Sequence, residues 1–541
     1  MVESRRVKLS DLFAGVGYQR LAGAAEVDIT SLCYRSDQAR PGGLFFCVPG
    51  FKRDGHDFAP DAVARGVTAL CVERPLGLEV AEAVVPSVRN AMGPVAAAFF
   101  GHPSSKLLTV GITGTNGKTT SAFLVAHLLD RAGLRAGLMG TVERRIGGKT
   151  LPAGRTTPEA IDIQQDLAEM VQAGDRAMVM EVSSHALDLG RVLGMEFKVI
   201  AFTNLTQDHL DYHKTFADYF ASKSLLFLDD GFKAMQPLAV MNVDDPYGLE
   251  LARQLPRERV LGFSTAGWPG PWGLADLEWS DYSVKSGGTR GTMVVRGPAL
   301  ERIRGGTAGG ARAGGAGRGG RGGPTAGGAG QPGATEALFE VGTPLLGEFN
   351  VANTLTALGI GLALGLDMQQ MLYALGEFRG VPGRMQPVEA GQDFTVLVDY
   401  AHTPDSVRNA LETARGFTRG RLIALVGCGG DRDKGKRPVM GREAEQAADF
   451  LIVTSDNPRT EDPLAIIADI TAGLESPATA TVEPDRRRAI AMAMAVARKD
   501  DVVLILGKGH ESGQEFATET IPFDDRQVAY EALIALKEGG R

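Results

Sequence analysis

The stretch 106–120, KLLTVGITGTNGKTT, decides the fold, because it places a glycine-rich loop between a buried strand and a helix. Its first half is almost continuously apolar, which is typical of a strand buried on both faces. The helical pattern SAFLVAHLLDRAG (121–133) follows the loop. In this context the loop's N–H groups are expected to bind phosphate, Lys118 to neutralise the β- and γ-oxygens and Thr119 to hold Mg²⁺.

The loop departs from the strict phosphate-loop pattern at one position. Ile112 stands where the first glycine is required, and Gly114 follows two residues later. A purely structural glycine turn is therefore the alternative interpretation. The order of strand, loop and helix favours phosphate binding.

Seven further apolar runs also end in polar or glycine residues, and helical stretches such as DSVRNALETARGF lie between them. This alternation predicts parallel α/β sheets, in which ligands bind beyond the carboxyl ends of the strands. The seven runs are RAMVMEVSS (176–184), FKVIAFTNL (197–205), PLAVMNVDD (237–245), FTVLVDYAH (394–402), RLIALVGCGG (421–430), DFLIVTSDN (449–457) and DVVLILGKGH (501–510).

A chain of 541 residues is too long for one ordinary hydrophobic core, so we expect three α/β domains. Residues 1–105 form a small α/β unit that includes GGLFFCVPG (42–50). Residues 106–381 carry the phosphate loop on a parallel sheet. Residues 382–541 begin after the turn VPG and carry a second, Rossmann-like parallel sheet.

Composition excludes several classes of protein. Hydrophobic residues make up 44% and charged residues 23%, as in globular proteins, and the net charge of −8 argues against nucleic acid or an anionic membrane as the main partner. The four cysteines have no metal-binding spacing, which favours reduced thiols in a cytoplasmic protein. The N-terminus lacks the apolar segment of a secretory signal, and no run reaches the ~18 apolar residues of a membrane span.

Residues 304–334 form a tract of glycine, alanine and arginine. Such a composition buries too little apolar surface to offset the entropy of ordering, so we expect a disordered insertion within the second domain. RNA binding through its arginines is an alternative. A tolerated surface insertion is the simpler interpretation.

The segment TGTNGKTT (113–120) resembles the ATP loop of the Mur ligases and of the related folylpolyglutamate synthetases. Further motifs follow in the order of the Mur ligase family over nearly the whole chain outside the glycine-rich tract. The resemblance implies a UDP-sugar-binding first domain, an ATP-binding central domain and a third domain that binds an amino acid. It also implies ATP-dependent ligation of meso-diaminopimelate to UDP-N-acetylmuramoyl-L-alanyl-D-glutamate.

Four residues would carry the activation chemistry by this resemblance: Lys118, Glu181 in EVSSH, His209 in NLTQDHLDYH and Lys223 in FADYFASKSLLF. Thr119 and Glu181 supply the oxygen ligands that Mg²⁺ prefers. By spacing alone, His209 would be a hydrogen-bonding histidine and Lys223 a surface lysine. The family instead places the histidine on a second metal ion and carbamylates the lysine, which converts a cation into an anionic oxygen ligand.

The nucleotide side of the site is also defined by the resemblance. For Asn242 and Asn350, a role in a turn or helix cap is an equal alternative. Arg384 and Asp399 belong to the third domain, so ATP is expected between the second and third domains. The expected ATP-binding residues are Gly114, Thr115, Asn116, Gly117, Lys118, Thr119, Thr120, Asn242, Asp244, Asn350, Arg384 and Asp399.

The nucleotide-sugar peptide should bind between the first two domains. This sequence departs from relatives at Asp37, where arginine is usual, at Arg155, where asparagine is frequent, and at Leu189, where some have glutamine. A serine–threonine cluster is otherwise more often a helix cap. The expected contacts are Ser36, Arg155, Thr156, Thr157, Ser183, Leu189 and Arg191.

The amino-acid substrate is indicated by the segment DNPR (456–459) after the strand DFLIV. Asp-Asn-Pro alone is an ordinary turn signal. Arg432 and GKGHE (507–511), at two other strand ends, favour a ligand site over a simple turn. DNPR itself resembles the family's meso-diaminopimelate signature, whose arginine is absent from lysine-adding relatives. The expected contacts are Arg432, Asp456, Asn457, Pro458, Arg459, Gly507 and Glu511.

The chemistry implied is phosphoryl transfer to the D-glutamate side chain, followed by attack of the diaminopimelate amine on the acyl phosphate. A folylpolyglutamate synthetase is one rival, although it explains neither the first domain nor DNPR. A catalytically inactive scaffold is the other rival, and the intact Lys118, Glu181, His209 and Lys223 argue against it. We expect a cytoplasmic monomer with small-molecule substrates, no nucleic-acid partner and no membrane insertion.

Overall fold

The computed structural model describes residues 5–18, 20–22, 26–50, 53–208, 212–267, 269–270, 273–285, 287–309 and 334–538. The chain divides into two compact units. The first comprises Met1–Thr113, Gly133–Ile200 and Ala221–Leu238. The second comprises Gly114–Ala132, Ala201–Phe220 and Ala239–Arg541.

The N-terminal part of the first unit contains a five-stranded sheet of order β2-β7-β6-β5-β4, in which all neighbours except β2 and β7 are parallel. Helix α3 begins after Ser87, whose hydroxyl accepts from the Asn90 N–H, and ends at the left-handed Gly101. The elements are β1 (Val7–Lys8), α1 (Leu9–Leu12), β2 (Arg20–Ala22), β3 (Asp28–Ile29), β4 (Ser31–Cys33), β5 (Gly43–Phe46), α2 (Ala59–Ala64), β6 (Ala69–Val72), β7 (Ala81–Val84) and α3 (Val88–Phe100).

In the rest of the first unit the sheet order is β11-β10-β9-β12-β8, and β12 is parallel to both β8 and β9. Strand β13 and helix α7 pass from one unit into the other, and α4 lies in the second unit. The elements are β8 (Leu108–Thr113), α4 (Lys118–Arg131), β9 (Ala136–Met139), β10 (Glu143–Ile146), β11 (Lys149–Pro152), α5 (Ala160–Ala173), β12 (Ala177–Glu181), α6 (Ser184–Asp188), β13 (Val199–Phe202), α7 (Phe216–Leu228) and α8 (Asp230–Met235).

The first part of the second unit pairs β14, β15 and β18 in parallel, and β18, β19 and β20 continue as an antiparallel meander. Helix α10 continues through residues 304–309, so the start of the glycine-rich tract is helical where we expected disorder; residues 310–333 lie outside the described residues. The elements are β14 (Leu238–Asn242), α9 (Pro246–Arg253), β15 (Val260–Ser264), β16 (Pro269–Gly270), β17 (Gly273–Leu274), β18 (Leu277–Lys285), β19 (Gly288–Arg296), α10 (Gly297–Gly309), β20 (Glu336–Thr343), α11 (Glu348–Ala363) and α12 (Met368–Gly376).

The C-terminal part of the second unit is a six-stranded sheet of order β21-β22-β26-β23-β24-β25, parallel except at β21. One hydrophobic cluster includes residues of α13, α14 and α15, and another includes residues of α16 and α17, so helices cover both faces. The elements are β21 (Gln386–Pro387), β22 (Thr395–Asp399), α13 (Pro404–Phe417), β23 (Leu422–Val426), α14 (Lys436–Ala447), β24 (Phe450–Val453), α15 (Pro463–Thr471), β25 (Thr481–Val482), α16 (Arg486–Val496), β26 (Val502–Leu506), β27 (Gly513–Glu515), β28 (Thr520–Pro522) and α17 (Asp525–Glu538).

All eight apolar runs form strands, so the prediction of an α/β fold with parallel pairing is confirmed. The exact domain boundaries stay predictions. All four cysteines are buried free thiols. Among the described residues, no helix combines the length and apolar character needed to cross a membrane.

Candidate active site

The phosphate loop joins β8 to α4, and its geometry requires glycine at two positions. Gly114 and Gly117 have φ values of 145° and 87°. A Cβ atom at Gly114 would collide with the hydroxyl of Thr203, and one at Gly117 would collide with the side-chain oxygen of Asn353. Backbone conformation and lack of space therefore both exclude a side chain, as expected where a backbone must approach a ligand closely.

Lys118 is the first residue of α4, where the sequence motif places it. Its Nζ donates to the carbonyl oxygens of Gly114 and Thr115 over 2.9 and 2.7 Å. The Asn116 N–H donates to Oδ1 of Asn204 over 2.9 Å. The ammonium group is thus held over the loop whose N–H groups are expected to bind phosphate.

A cavity of about 280 Å³ in the second unit adjoins this loop. Arg384 donates from Nη2 to the Thr119 hydroxyl over 3.3 Å, and burial raises the pKa of Asp399 while Arg384 opposes that rise. Residues of the loop and of the C-terminal sheet therefore line one cavity, and ATP binding there stays a prediction. Its lining residues include Asn116, Gly117, Thr119, Thr120, Thr203, Asn204, Thr206, Phe349, Ala352, Asn353, Thr356, Arg384, Asp399, Asp405 and Asn409.

Six residues expected on the nucleotide do not line this cavity: Gly114, Thr115 and Lys118 in the loop, and Asn242, Asp244 and Asn350 outside it. Asn242 donates to the Thr203 carbonyl over 2.8 Å, and Asp244 accepts from the Ser264 hydroxyl over 2.6 Å. Asn350 accepts from Nδ2 of Asn353 over 2.9 Å. Asn242 and Asn350 thus contact residues that line the cavity, whereas Asp244 contacts Ser264, which does not. The contacts of all three with ATP stay predictions.

Asn353 and Asp405 are among the lining residues that sequence reasoning missed. Oδ2 of Asp405 accepts from Nδ2 of Asn116 over 3.0 Å, which joins helix α13 to the phosphate loop. The signal for Asn353 was present, because NVAN places two asparagines three residues apart on one helix face. Asp405 had no such signal, since its position follows from tertiary contact.

A second cavity of about 860 Å³ is larger than the one beside the loop. It includes Lys285, Glu389, Asp393, Arg419 and Asp500. None of the predicted site residues lines it. Volume by itself is no evidence of catalysis, so we assign this cavity no chemical role.

In the first unit, Glu181 ends β12 with its carboxylate buried. Its two oxygens accept from the N–H and the hydroxyl of Thr141 over 2.8 and 3.1 Å. Thr156 shares a 3.0 Å hydroxyl contact with Thr141, and the Thr157 hydroxyl donates to the Glu181 carbonyl over 2.8 Å. The adjacent threonines are thus fixed around a buried carboxylate.

The same network extends through predicted peptide-binding residues. The Ser183 N–H donates to the Thr157 hydroxyl over 3.1 Å, and Arg191 donates to the Thr157 carbonyl over the same distance. Glu159 forms ion pairs with Arg155 at 2.6 Å and Arg191 at 3.0 Å. Sequence reasoning missed Glu159, which fixes both arginines.

Two other expected contacts lie apart from this network. Ser36 starts a short 3-10 turn, and the neighbouring Asp37 pairs with Arg35 at 2.6 Å. Leu189 follows α6 as its C-cap. Its side chain has no polar group with which to replace glutamine.

Lys223 lies in α7 with only 2% of its surface exposed, so the surface-lysine interpretation is wrong. Lysine is almost never fully buried without a partner. His209 lies outside the described residues, so its predicted metal contact cannot be placed. Among the described residues, no three His, Cys, Asp or Glu side chains form a metal-binding group.

The predicted amino-acid site is assembled at three adjacent strand ends, of β23, β24 and β26. Asn457 donates from Nδ2 to Oε2 of Glu511 over 2.7 Å. Arg459 donates from Nε to Glu515 over 2.7 Å and from Nη1 to the Gly430 carbonyl over 2.8 Å. The described contacts leave the Nη2 group of Arg459 available to a carboxylate.

The other residues of this site adjoin the same segments. Asp456 is buried, and a Cβ atom at Gly507 would collide with its carboxylate. A Cβ atom at Gly430 would likewise collide with the backbone carbonyl oxygen of Pro458. Arg432 is exposed and donates to the Asp431 carbonyl over 3.0 Å, and among the described residues it forms no hydrogen bond to the DNPR segment.

A buried residue that sequence reasoning missed at this site is Lys508, in the motif GKGHE (507–511). It is fully buried, and its Nζ donates to Oδ1 of Asn457 over 2.8 Å and to Oε2 of Glu511 over 3.1 Å. Its place between glycines gave no sign of burial. The contact with Asn457 depends on the sheet order, which brings the ends of β24 and β26 close together on either side of β23.

Comparison with known proteins agrees with this geometry. Residues 28–100 match the model "Mur ligase family, catalytic domain", residues 112–309 match "Mur ligase middle domain" and residues 383–509 match "Mur ligase, glutamate ligase domain". These three matches cover the same succession of α/β segments that the structure displays.

Individual relatives match over almost their full length. The UDP-N-acetylmuramoyl-L-alanyl-D-glutamate--2,6-diaminopimelate ligase of Thermosynechococcus vestitus is 44% identical and covers 94% of each chain. The enzyme of the same name from Gloeobacter violaceus is 42% identical over 99% of each chain. A solved structure with this name is 29% identical, with a TM-score of 0.65 over 98% of this chain and 100% of that one.

A folylpolyglutamate synthase of Mycobacterium tuberculosis, complexed with ADP, is 18% identical, with a TM-score of 0.55 over 82% of this chain and 93% of that one. At this identity the similarity concerns the fold alone.

Proposed function

The chain belongs to the Mur ligase family, and on this basis we propose that it ligates meso-diaminopimelate to UDP-N-acetylmuramoyl-L-alanyl-D-glutamate. It is an ATP-dependent ligase of peptidoglycan synthesis. The supporting observation is 44% identity over 94% of a relative of that name, together with the DNPR segment facing Glu511. The folylpolyglutamate synthetase rival lacks comparable sequence support.

The reaction begins with phosphoryl transfer. A carboxylate oxygen of the D-glutamate side chain bonds to the γ-phosphorus of ATP, and the bond from that phosphorus to the β,γ-bridging oxygen breaks, which releases ADP. Lys118 and the N–H groups after Gly114 stabilise the charge that develops on the phosphoryl oxygens. Arg384 and Asp399, which line the same cavity, orient the nucleotide.

Amide formation follows from the acyl phosphate. The diaminopimelate amine attacks the acyl carbon, the carbon–oxygen bond to phosphate breaks, and the amine loses its proton. Arg459 binds the distal carboxylate, Glu511 binds the distal ammonium and Arg432 holds the carboxylate of the reacting end. Positioning supplies most of the rate, because no side-chain nucleophile is needed.

The donor atoms suit Mg²⁺, because the Thr119 hydroxyl and the buried Glu181 carboxylate are oxygen ligands. When bound, Mg²⁺ neutralises charge on the phosphoryl oxygens. Thr119 and Glu181 would supply oxygen ligands, and by the family resemblance His209 and carbamylated Lys223 would hold a second ion. The buried position of Lys223 supports carbamylation, since the carbamate replaces a cation by an oxygen ligand.

The nucleotide-sugar peptide is bound through Ser36, Arg155, Thr156, Thr157, Ser183, Leu189 and Arg191. Support comes from the network that fixes Thr157, Ser183 and Arg191 in the first unit. We place the enzyme in the cytoplasm as a monomer, where its soluble precursor substrates are available.

The function is tested with purified protein, ATP, Mg²⁺ and the UDP-linked dipeptide, offered an equimolar mixture of meso-diaminopimelate and lysine. Mass spectrometry should show the diaminopimelate product almost alone. Folate and glutamate serve as the comparison reaction. Ligation of glutamate to folate, or equal use of lysine, would refute the proposed substrate assignment.

A further inference from the structure

Lys508 connects two strand ends of the predicted amino-acid site. It follows β26, its side chain is fully buried, and its Nζ donates to Asn457 over 2.8 Å and to Glu511 over 3.1 Å. Oδ1 of Asp456 lies 3.9 Å from the same nitrogen. A buried ammonium is costly unless oxygens surround it, so these contacts explain why the cation is tolerated.

The contacts of Asn457 fix the direction of its amide group. Oδ1 accepts from Lys508 and from the Glu515 N–H over 3.0 Å, while Nδ2 donates to Glu511 over 2.7 Å. If the Asn457 amide were flipped, its NH₂ group would face two other donors, the Lys508 ammonium and the Glu515 N–H. Lys508 therefore orients Glu511 directly and through Asn457.

The charges around Glu511 come from several elements. Lys508 lies on its own segment, Asp456 follows β24, Tyr400 follows β22 and Arg486 begins α16. Burial raises the pKa of Glu511, and Asp456 adds to the rise, whereas Lys508 and Asn457 lower it. Without Lys508, two neighbouring carboxylates would face each other, and Glu511 would take up a proton more readily.

We propose that Lys508 is the positioning residue that presents the Glu511 carboxylate to the distal ammonium of the substrate, and so sets selectivity for a diamino acid. The inference rests on the proposed function. The substrate class it predicts is an amino acid whose far end is a zwitterion, with Arg459 on the carboxylate and Glu511 on the ammonium.

The test compares meso-diaminopimelate with 2-aminopimelate, which keeps both carboxylates and lacks only the distal amine. The wild-type enzyme should prefer the diamino acid by about tenfold to a hundredfold in kcat/KM, the range of one charged hydrogen bond. Lys508→Met should lose most of that preference, mainly through the KM for diaminopimelate. Lys499→Met, an exposed lysine of the same sheet domain, is the matched control and should change neither value.

The pH dependence gives a second readout. In Lys508→Met the KM for diaminopimelate should fall as pH rises, because Glu511 regains its charge, while the KM for 2-aminopimelate should change little. If Lys508→Met does not fold, Lys508→Gln keeps a donor for Asn457 without the charge and should show the same loss of selectivity.

The outcomes separate the two proposals. A wild-type enzyme without preference for the diamino acid would refute the proposed substrate contacts. A selective wild type whose Lys508→Met or Lys508→Gln variant loses activity equally on both amino acids would overturn the role of Lys508. Failure of both variants to fold would assign Lys508 to folding, which also overturns the proposal.

Discussion

Arg384 donates a 3.3 Å hydrogen bond to the hydroxyl of Thr119, although 265 positions separate the two residues. The guanidinium also lies 4.7 Å from the centre of the Tyr400 ring. A residue of the phosphate loop's helix and a residue that precedes the C-terminal sheet thus lie at one cavity. This contact explains how nucleotide binding can depend both on the helix that follows the phosphate loop and on the segment that precedes the C-terminal sheet.

Lys118→Ala should lose most of the ligation activity while leaving the fold intact. The variant loses the ammonium expected on the transferred phosphoryl group, which we expect to cost about a hundredfold to a thousandfold in kcat. Steady-state product formation and thermal unfolding are the measurements, with exposed Lys149→Ala as the control. Near-normal turnover of Lys118→Ala would contradict the assignment of the loop.

Lys223→Ala should be almost inactive, and formate or acetate should restore part of its activity. The substitution removes the oxygens of the predicted carbamate, and a small carboxylate can supply them in the space left beside α7. Activity is measured over a range of carboxylate concentrations. Lys233→Ala, which removes an exposed lysine of α8, is the control. An active Lys223→Ala enzyme that carboxylates do not affect would show that no carbamate is needed.

Arg459→Ala should raise the KM for meso-diaminopimelate by about tenfold to a hundredfold, because one charged contact to the distal carboxylate is lost. It should not create a good lysine enzyme, since lysine gains no new partner. Arg459 has a φ of 52°, so Arg459→Asn, which tolerates this conformation, separates loss of charge from backbone strain.

The measurement for Arg459 is steady-state ligation with both amino acids. The wild type should discriminate against lysine by roughly a thousandfold, as a site built around a polar group can. Arg487→Ala removes another arginine of the same domain, one paired with Glu531 at 2.7 Å, and should change neither KM. Unchanged diaminopimelate kinetics in both Arg459 variants would refute the assignment of DNPR.

Replacing residues 310–333 by a short Gly/Ser linker should leave activity unchanged. Arg304 donates to the Ala334 carbonyl over 2.8 Å, so the two sides of the tract are close and a short connection can join them. Loop length costs little closure entropy. Ligation rate and melting temperature should match the wild type. A large loss of ligation would assign the tract a role in the reaction.

The sequence by itself determined the strand order along the chain and the phosphate loop. Apolar runs such as 106–114 and 421–430 report burial locally, and the glycines of TGTNGKTT report a backbone that must pass close to a ligand. DNPR and GKGHE were found as strand-end motifs for the same reason. These signals lie within a few neighbouring residues.

Only the tertiary structure decided how those segments meet. It buried Lys223, brought Asp405 to Asn116, placed Asn242 outside the cavity lining and made Lys508 the bridge between Asn457 and Glu511. None of these relations has a local pattern, because each depends on side chains from segments distant along the chain. A charged residue's burial is set by the partners that offset its desolvation, and folding alone supplies them.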